Sequence, residues 1–114
     1  MTENPNRVAP PEVYQIAPGL GLCTDSVLFG EVWKRPSFSL QDRSLDTVST
    51  LIASGKSPQL GAHTRRALDN GVTPAEIGEL ITHLAFYCGW PAAMLAVQET
   101  MKVFEERGIN TQGI

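Results

Sequence analysis

The stretch TPAEIGELITHLAFYCGWP, residues 73–91, decides the fold. Thr73, Pro74 and Glu76 combine a capping hydroxyl, a proline in the first turn and a carboxylate that reaches back to the cap. Together they start a helix by satisfying N–H groups that would otherwise lack partners. From there Ile77, Leu80, Ile81, Leu84, Ala85 and Cys88 recur at i, i+3, i+4, i+7, i+8 and i+11, one continuous apolar face. Cys88 belongs to that face and reads as a small buried hydrophobe, with no Arg or Lys within a turn to acidify it. Gly89-Trp90-Pro91 then breaks the helix.

The same punctuation recurs on either side. Pro91 opens a last helix carrying Met94, Val97, Met101 and Phe104, closed by Gly108. Upstream, Ser57-Pro58 reads as cap and first residue of a helix ending at Asn70-Gly71. Ser39 caps another, whose stripe is Leu45, Val48 and Ile52. Thr24 or Asp25 caps a further helix with Phe29, Val32 and Trp33, stopped by Pro36. Alternating β-branched runs are missing, so the fold class is all-α. The expected organisation is an irregular N-terminal arm (residues 1–21), a helical domain (residues 22–108) and a short tail (residues 109–114).

At 114 residues with 42% hydrophobic content, the chain suits one small domain. Its net charge of −3 offers no general field for nucleic acid or an anionic membrane, so anion binding has to be local. No apolar run is long enough to span a bilayer, and the first residues lack the apolar segment of a secretory signal. The expectation is a cytoplasmic protein. Cys23 and Cys88 are spaced as neither a disulfide framework nor a Cys-x-x-Cys motif, and both are expected as free thiols.

On the helix of residues 73–88, His83 falls at the edge of the apolar stripe, between Glu79 and Tyr87 at one turn either way. Its bland alternative is a flank histidine paired with one of them. Phe86 points almost opposite the core face, which suggests a second buried surface and hence a homo-oligomer. His63 shares a face with Leu60 and Ala67, and its bland alternative is a hydrogen-bonded core histidine.

Several pieces carry a resemblance: Gly30-Glu-Val-Trp33 with Arg35-Pro36, Asp42-Arg-Ser-Leu45, His63 with Arg66-Ala-Leu-Asp-Asn-Gly71, and His83-Leu-Ala-Phe-Tyr87 with Gly89-Trp-Pro91. Over residues 29–104 the chain resembles the γ-carboxymuconolactone decarboxylases, a branch of the superfamily that includes the alkyl hydroperoxidase D-like thiol peroxidases. The peroxidase relay is missing: Lys56 and Gln59 stand where its thiols would be, and Ser44 stands near the expected glutamate. Neither an amine nor an amide can replace a thiolate nucleophile.

The resemblance implies cofactor-free decarboxylation of 4-carboxymuconolactone, or a related small carboxylic acid, to an enol-lactone of 3-oxoadipate in aromatic degradation. It also implies subunits packed as trimers or hexamers. Such chemistry needs a cation for the carboxylate that stays, donors for the developing oxyanion and an acid to protonate carbon. His63 and His83 are the candidates for proton transfer, since imidazole titrates near neutral pH. Glu31 is expected to orient a histidine and Arg43 to anchor the carboxylate, with Arg35, Arg65 and Arg66 competing for that role. Tyr87 is a candidate substrate contact, although Tyr87, Trp33 and Trp90 equally suit core or subunit packing. Two rival functions stand beside this one: a non-catalytic oligomer or ligand-binding protein on the same scaffold, and a residual thiol activity at Cys23 or Cys88.

Overall fold

The computed structural model describes residues 7–114, and among these every regular element is helical. Residues 1–6 of the expected arm lie outside the described residues. The chain divides into two compact units, Met1–Leu40 and Gln41–Ile114.

In the first unit, the segment expected as an irregular arm is instead helical from Pro11. Helix α1 covers Pro11–Ile16 and α2 covers Pro18–Cys23, each started by a proline whose missing N–H is harmless in a first turn. Short helices of this kind are held by tertiary contacts rather than propensity. Tyr14 donates its hydroxyl proton to Asp25 (2.8 Å to Oδ1) and accepts from the Val8 and Ala9 amides at 3.0 and 3.1 Å. The ring also lies on Gly21, where a Cβ would come within 2.4 Å of it.

The helix expected through residues 25–35 is a correction. The chain forms a single π-helical turn at Thr24–Leu28 and a 3₁₀ turn at Val32–Lys34. Gly30 sits between them with Ser26 O and Asp25 O only 2.5 and 2.7 Å from where its Cβ would be, so the motif glycine is a close-approach residue. Trp33 is buried and stacks on Phe29, with centroids 5.5 Å apart.

The second unit is built on α3 (Leu40–Ala53), α4 (Ser57–Asp69), α5 (Pro74–Cys88) and α6 (Trp90–Glu106). The capping box is formed as expected: the Glu76 amide donates to Thr73 Oγ1 at 3.1 Å and the Thr73 amide to Glu76 Oε1 at 2.9 Å. Gly89 terminates α5 at φ 95°, a conformation that costs glycine little. Helix α6 packs against both α4 and α5. The core unites Val48 and Ile52 of α3, Leu60 and Ala67 of α4, Ile77, Ile81 and Ala85 of α5, and Ala93, Ala96 and Phe104 of α6. No helix of the described residues is long and apolar enough to cross a membrane.

Two details depart from the sequence reading. On α6 the buried series is Ala93, Ala96, Thr100, Val103 and Phe104, whereas Met94, Val97 and Met101 lie exposed. Small residues face inward because α6 approaches two helices at once, so the bulkier apolar series is left on the outside. Cys88 is only part-buried and lies outside the core cluster, since it occupies the last turn of α5 where that face leaves the packed interior.

Candidate functional site

The chemistry-bearing side chains of the second unit sit on three helices. On α4, Leu60, Thr64 and Ala67 are buried and set the inward face. His63 falls beside that face and is half-buried. Its Nδ1 is occluded from solvent and has no hydrogen-bond partner, so the expected hydrogen-bonded core histidine is not what the fold contains at that nitrogen. Burial, and second the neighbouring charge of Arg66, push the imidazole below its ordinary pKa near 6.5. The ring is therefore neutral at neutral pH.

Arg66 lies one turn beyond His63 and is half-buried too. Burial pulls its guanidinium pKa down, and the nearby Asp69 carboxylate partly opposes this. The neighbouring Arg65 differs. Its Nε and Nη2 bond the Glu106 carboxylate at 2.7 and 3.3 Å across to α6, and Arg107 of that end holds Asp69 at 2.6 Å. Arg43 is part-buried on α3, with its Nε occluded.

His83 has another setting. It borders an open groove of about 400 Å³, together with Leu45 and Ser49 of α3 and Glu76, Glu79, Leu80 and Leu84 of α5. The stripe that builds the core also brings these residues there, because α5 turns one edge of its apolar face toward α3. Glu76 is occupied by the cap, which leaves Glu79, Ser49 and His83 as the groove's available polar groups. The His83 ring leans on Tyr87, with centroids 5.0 Å apart and planes tilted by 35°, and Tyr87 is 77% exposed. The pairing with Tyr87 weighed from the sequence is thus present.

The first unit holds Glu31 and Arg35. They bond each other at 2.7 Å in an exposed i, i+4 pair, so two residues expected in separate roles share one salt bridge. Ser44, near the glutamate position of the peroxidase relay, is buried and accepts from Asn70 Nδ2 at 3.0 Å. Cys23 and Cys88 are free thiols, one exposed and one part-buried.

The sequence reading left Arg66 as one of several arginines competing for a carboxylate, and it did not single out Glu79 and Ser49, which border the His83 groove. The i, i+3 spacing from His63 was a usable signal for Arg66. The groove residues come from two helices distant in sequence and left no local signal.

The family model described as "Carboxymuconolactone decarboxylase family" matches residues 18–101. The chain is 42% identical over 81 residues to a 4-carboxymuconolactone decarboxylase from Acinetobacter baylyi, covering 71% of this chain and 60% of that protein. It is 40% identical over 94 residues to a nitrosuccinic acid decarboxylase from Metarhizium robertsii, covering 80% of this chain and 65% of that protein. An uncharacterised protein of Paracoccus denitrificans is 31% identical over 80 residues. The chain thus spans 60 to 65% of the length of the two decarboxylases it matches.

Proposed function

The chain belongs to the carboxymuconolactone decarboxylase family, and from that premise we propose that it is a carboxy-lyase acting on a small dicarboxylic acid that carries its own electron sink. 4-Carboxymuconolactone and nitrosuccinic acid, the compounds named for its two decarboxylase relatives, share that design. Each has two carboxylates. In one, the electron pair left by CO₂ flows into a conjugated lactone carbonyl, and in the other into a nitro group. The balance is the same: R–CO₂⁻ and H⁺ give R–H and CO₂, with the proton delivered to carbon. The substrate supplies the electron sink, so the protein's tasks are to hold one carboxylate and to deliver a proton.

The observation that carries this reading is the half-buried His63 imidazole with an unpartnered Nδ1, a proton-transfer group kept partly dry. His83, in its groove with Glu79, is the second candidate. Arg43 is the anchor expected for the retained carboxylate. Arg35 and Glu31 serve substrate and histidine only if their mutual salt bridge opens. Tyr87 forms a wall beside His83. The two free thiols suit a reducing compartment, in keeping with a cytoplasmic enzyme of aromatic degradation. A homo-oligomer, as trimer or hexamer, is supported by the exposed apolar groove of Phe86, Trp90, Met94 and Val97 along α5 and α6.

The test is incubation with 4-carboxymuconolactone and, separately, nitrosuccinic acid while CO₂ release is followed. Release from either supports the lyase reading and selects the sink. Binding of both without release moves the protein to the non-catalytic ligand-binding alternative.

A further inference from the structure

Glu79 and His83 stand one turn apart on α5 and border the same open groove as Ser49 of α3. At that spacing Cβ atoms lie roughly 5–6 Å apart on one helix face, within reach of a glutamate side chain. Tyr87, one turn later, leans on the His83 ring. The imidazole therefore has an aromatic neighbour toward the C-terminus of α5 and a carboxylate toward its N-terminus. The other charged groups around this ring are engaged or lie elsewhere. Glu76, also in the groove, accepts the Thr73 amide in the cap. Asp42, Arg43 and Asp46 of α3 are outside the groove lining, and α6 packs on α5 without lending a side chain to it. The chain end at Ile114 lies beside Gly78, again outside the lining. Glu31, in the first unit, holds Arg35. The rest of the groove wall is Leu45, Leu80 and Leu84, apolar surface that suits the charge-dispersing loss of CO₂.

We propose that Glu79 is the positioning residue of His83: when a small dicarboxylic acid fills the groove, the Glu79 carboxylate accepts a hydrogen bond from one ring nitrogen and leaves the other to donate its proton to substrate carbon. This rests on the decarboxylase reading and deepens it by giving His83 an orienting partner, Glu79, in place of Glu31. Both side chains are exposed in the empty groove, where water screens one from the other. A bound acid displaces that water, and the lower local dielectric strengthens the attraction between carboxylate and imidazolium. Substrate binding thus tightens the contact that holds the acid ready, as catalytic hydrogen bonds commonly do on forming the complex. The step balances without a redox partner. The bond to the departing carboxyl carbon breaks, its electron pair enters the substrate's own sink, and a carbon–hydrogen bond forms as the imidazolium N–H breaks. Solvent then returns a proton to His83.

The experiment is the pH profile of CO₂ release by the full chain and its Glu79 variants, on whichever of 4-carboxymuconolactone and nitrosuccinic acid is turned over. Glu79→Gln should lower kcat by about tenfold or more with little change in KM. It should also move the alkaline limb of the kcat profile to lower pH by about one unit, because the imidazolium loses its neighbouring charge. Glu79→Asp should recover part of both effects, and Glu105→Gln, on the surface of α6, should show neither. An alkaline limb that stays in place in Glu79→Gln overturns the proposal, as does a loss confined to KM. If neither acid releases CO₂, the decarboxylase reading fails, and the pair is decided by NMR of the ¹⁵N-labelled His83 ring with millimolar succinate as the probe. A succinate-induced change in the ring nitrogens that vanishes in Glu79→Gln supports the pair, and a ring that ignores succinate, or responds equally in the variant, overturns it.

Discussion

Glu31 and Arg35 hold each other through a single 2.7 Å contact, with side chains 59% and 58% exposed. At that exposure a salt bridge contributes little to stability, because solvent screens it and two long side chains lose freedom to form it. Glu31→Gln should therefore shift the unfolding free energy by no more than about 0.5 kcal/mol. If Glu31 orients a histidine, the same variant loses turnover well beyond that small change. Parallel thermal melts and CO₂ assays separate the two, and equal, slight effects on both would leave Glu31 a surface residue.

His63 makes stability depend on pH with a definite sign. Its pKa is lowered in the folded chain, so the unfolded chain binds the proton more readily. The contribution is fully present above the unfolded value near 6.5 and is lost as pH falls from there toward the folded value. Denaturant titrations from pH 7.5 to 5 should show that decline, and His63→Gln should flatten it by up to one proton's worth of slope. In turnover, His63→Ala and His83→Ala are each expected to lose about 10²-fold if both take part in proton transfer. Full activity in both single variants would remove imidazole from the mechanism.

Two buried hydroxyls on neighbouring helices predict opposite outcomes. Thr64 Oγ1 is fully buried without a hydrogen-bond partner, so Thr64→Val keeps the shape and removes a desolvated polar atom. It should be neutral or stabilising by up to about 1 kcal/mol. Ser44 Oγ, by contrast, accepts from the Asn70 amide at the end of α4. Ser44→Ala leaves that donor unsatisfied and should cost about 1–2 kcal/mol. Urea midpoints measured on the pair decide it.

Phe86 is 75% exposed and meets Trp90 edge-on at 5.3 Å, so α5 and α6 together present an aromatic ridge beside Met94 and Val97. If a second copy covers it, Phe86→Asp should lower the mass found by sedimentation while the circular dichroism stays helical. An unchanged mass would assign the ridge another purpose.

The helices from α3 onward were legible from local punctuation, seen best in the reciprocal Thr73–Glu76 cap, although α4 begins at Ser57 itself, with Lys56 rather than Ser57 at the cap position and no side-chain cap bond. The residues of the α5 core stripe were legible for the same local reason, since helical period alone puts Ile77, Ile81 and Ala85 on one side. The two turns at residues 24–34 were not. A run of apolar residues at helical spacing looks the same whether the backbone closes α, π or 3₁₀ hydrogen bonds.

Legible in contiguous residues alone were the four helices from α3 onward and the family. Which face of α6 turns inward was decided by packing, because Ala93 and Ala96 permit a close approach that Met94 and Val97 would block. Burial also separated Arg66 from Arg65, two adjacent and chemically identical side chains, by desolvating one and giving the other Glu106. Charge environment is a property of neighbours brought together from distant parts of the chain, and only the tertiary structure assembles them.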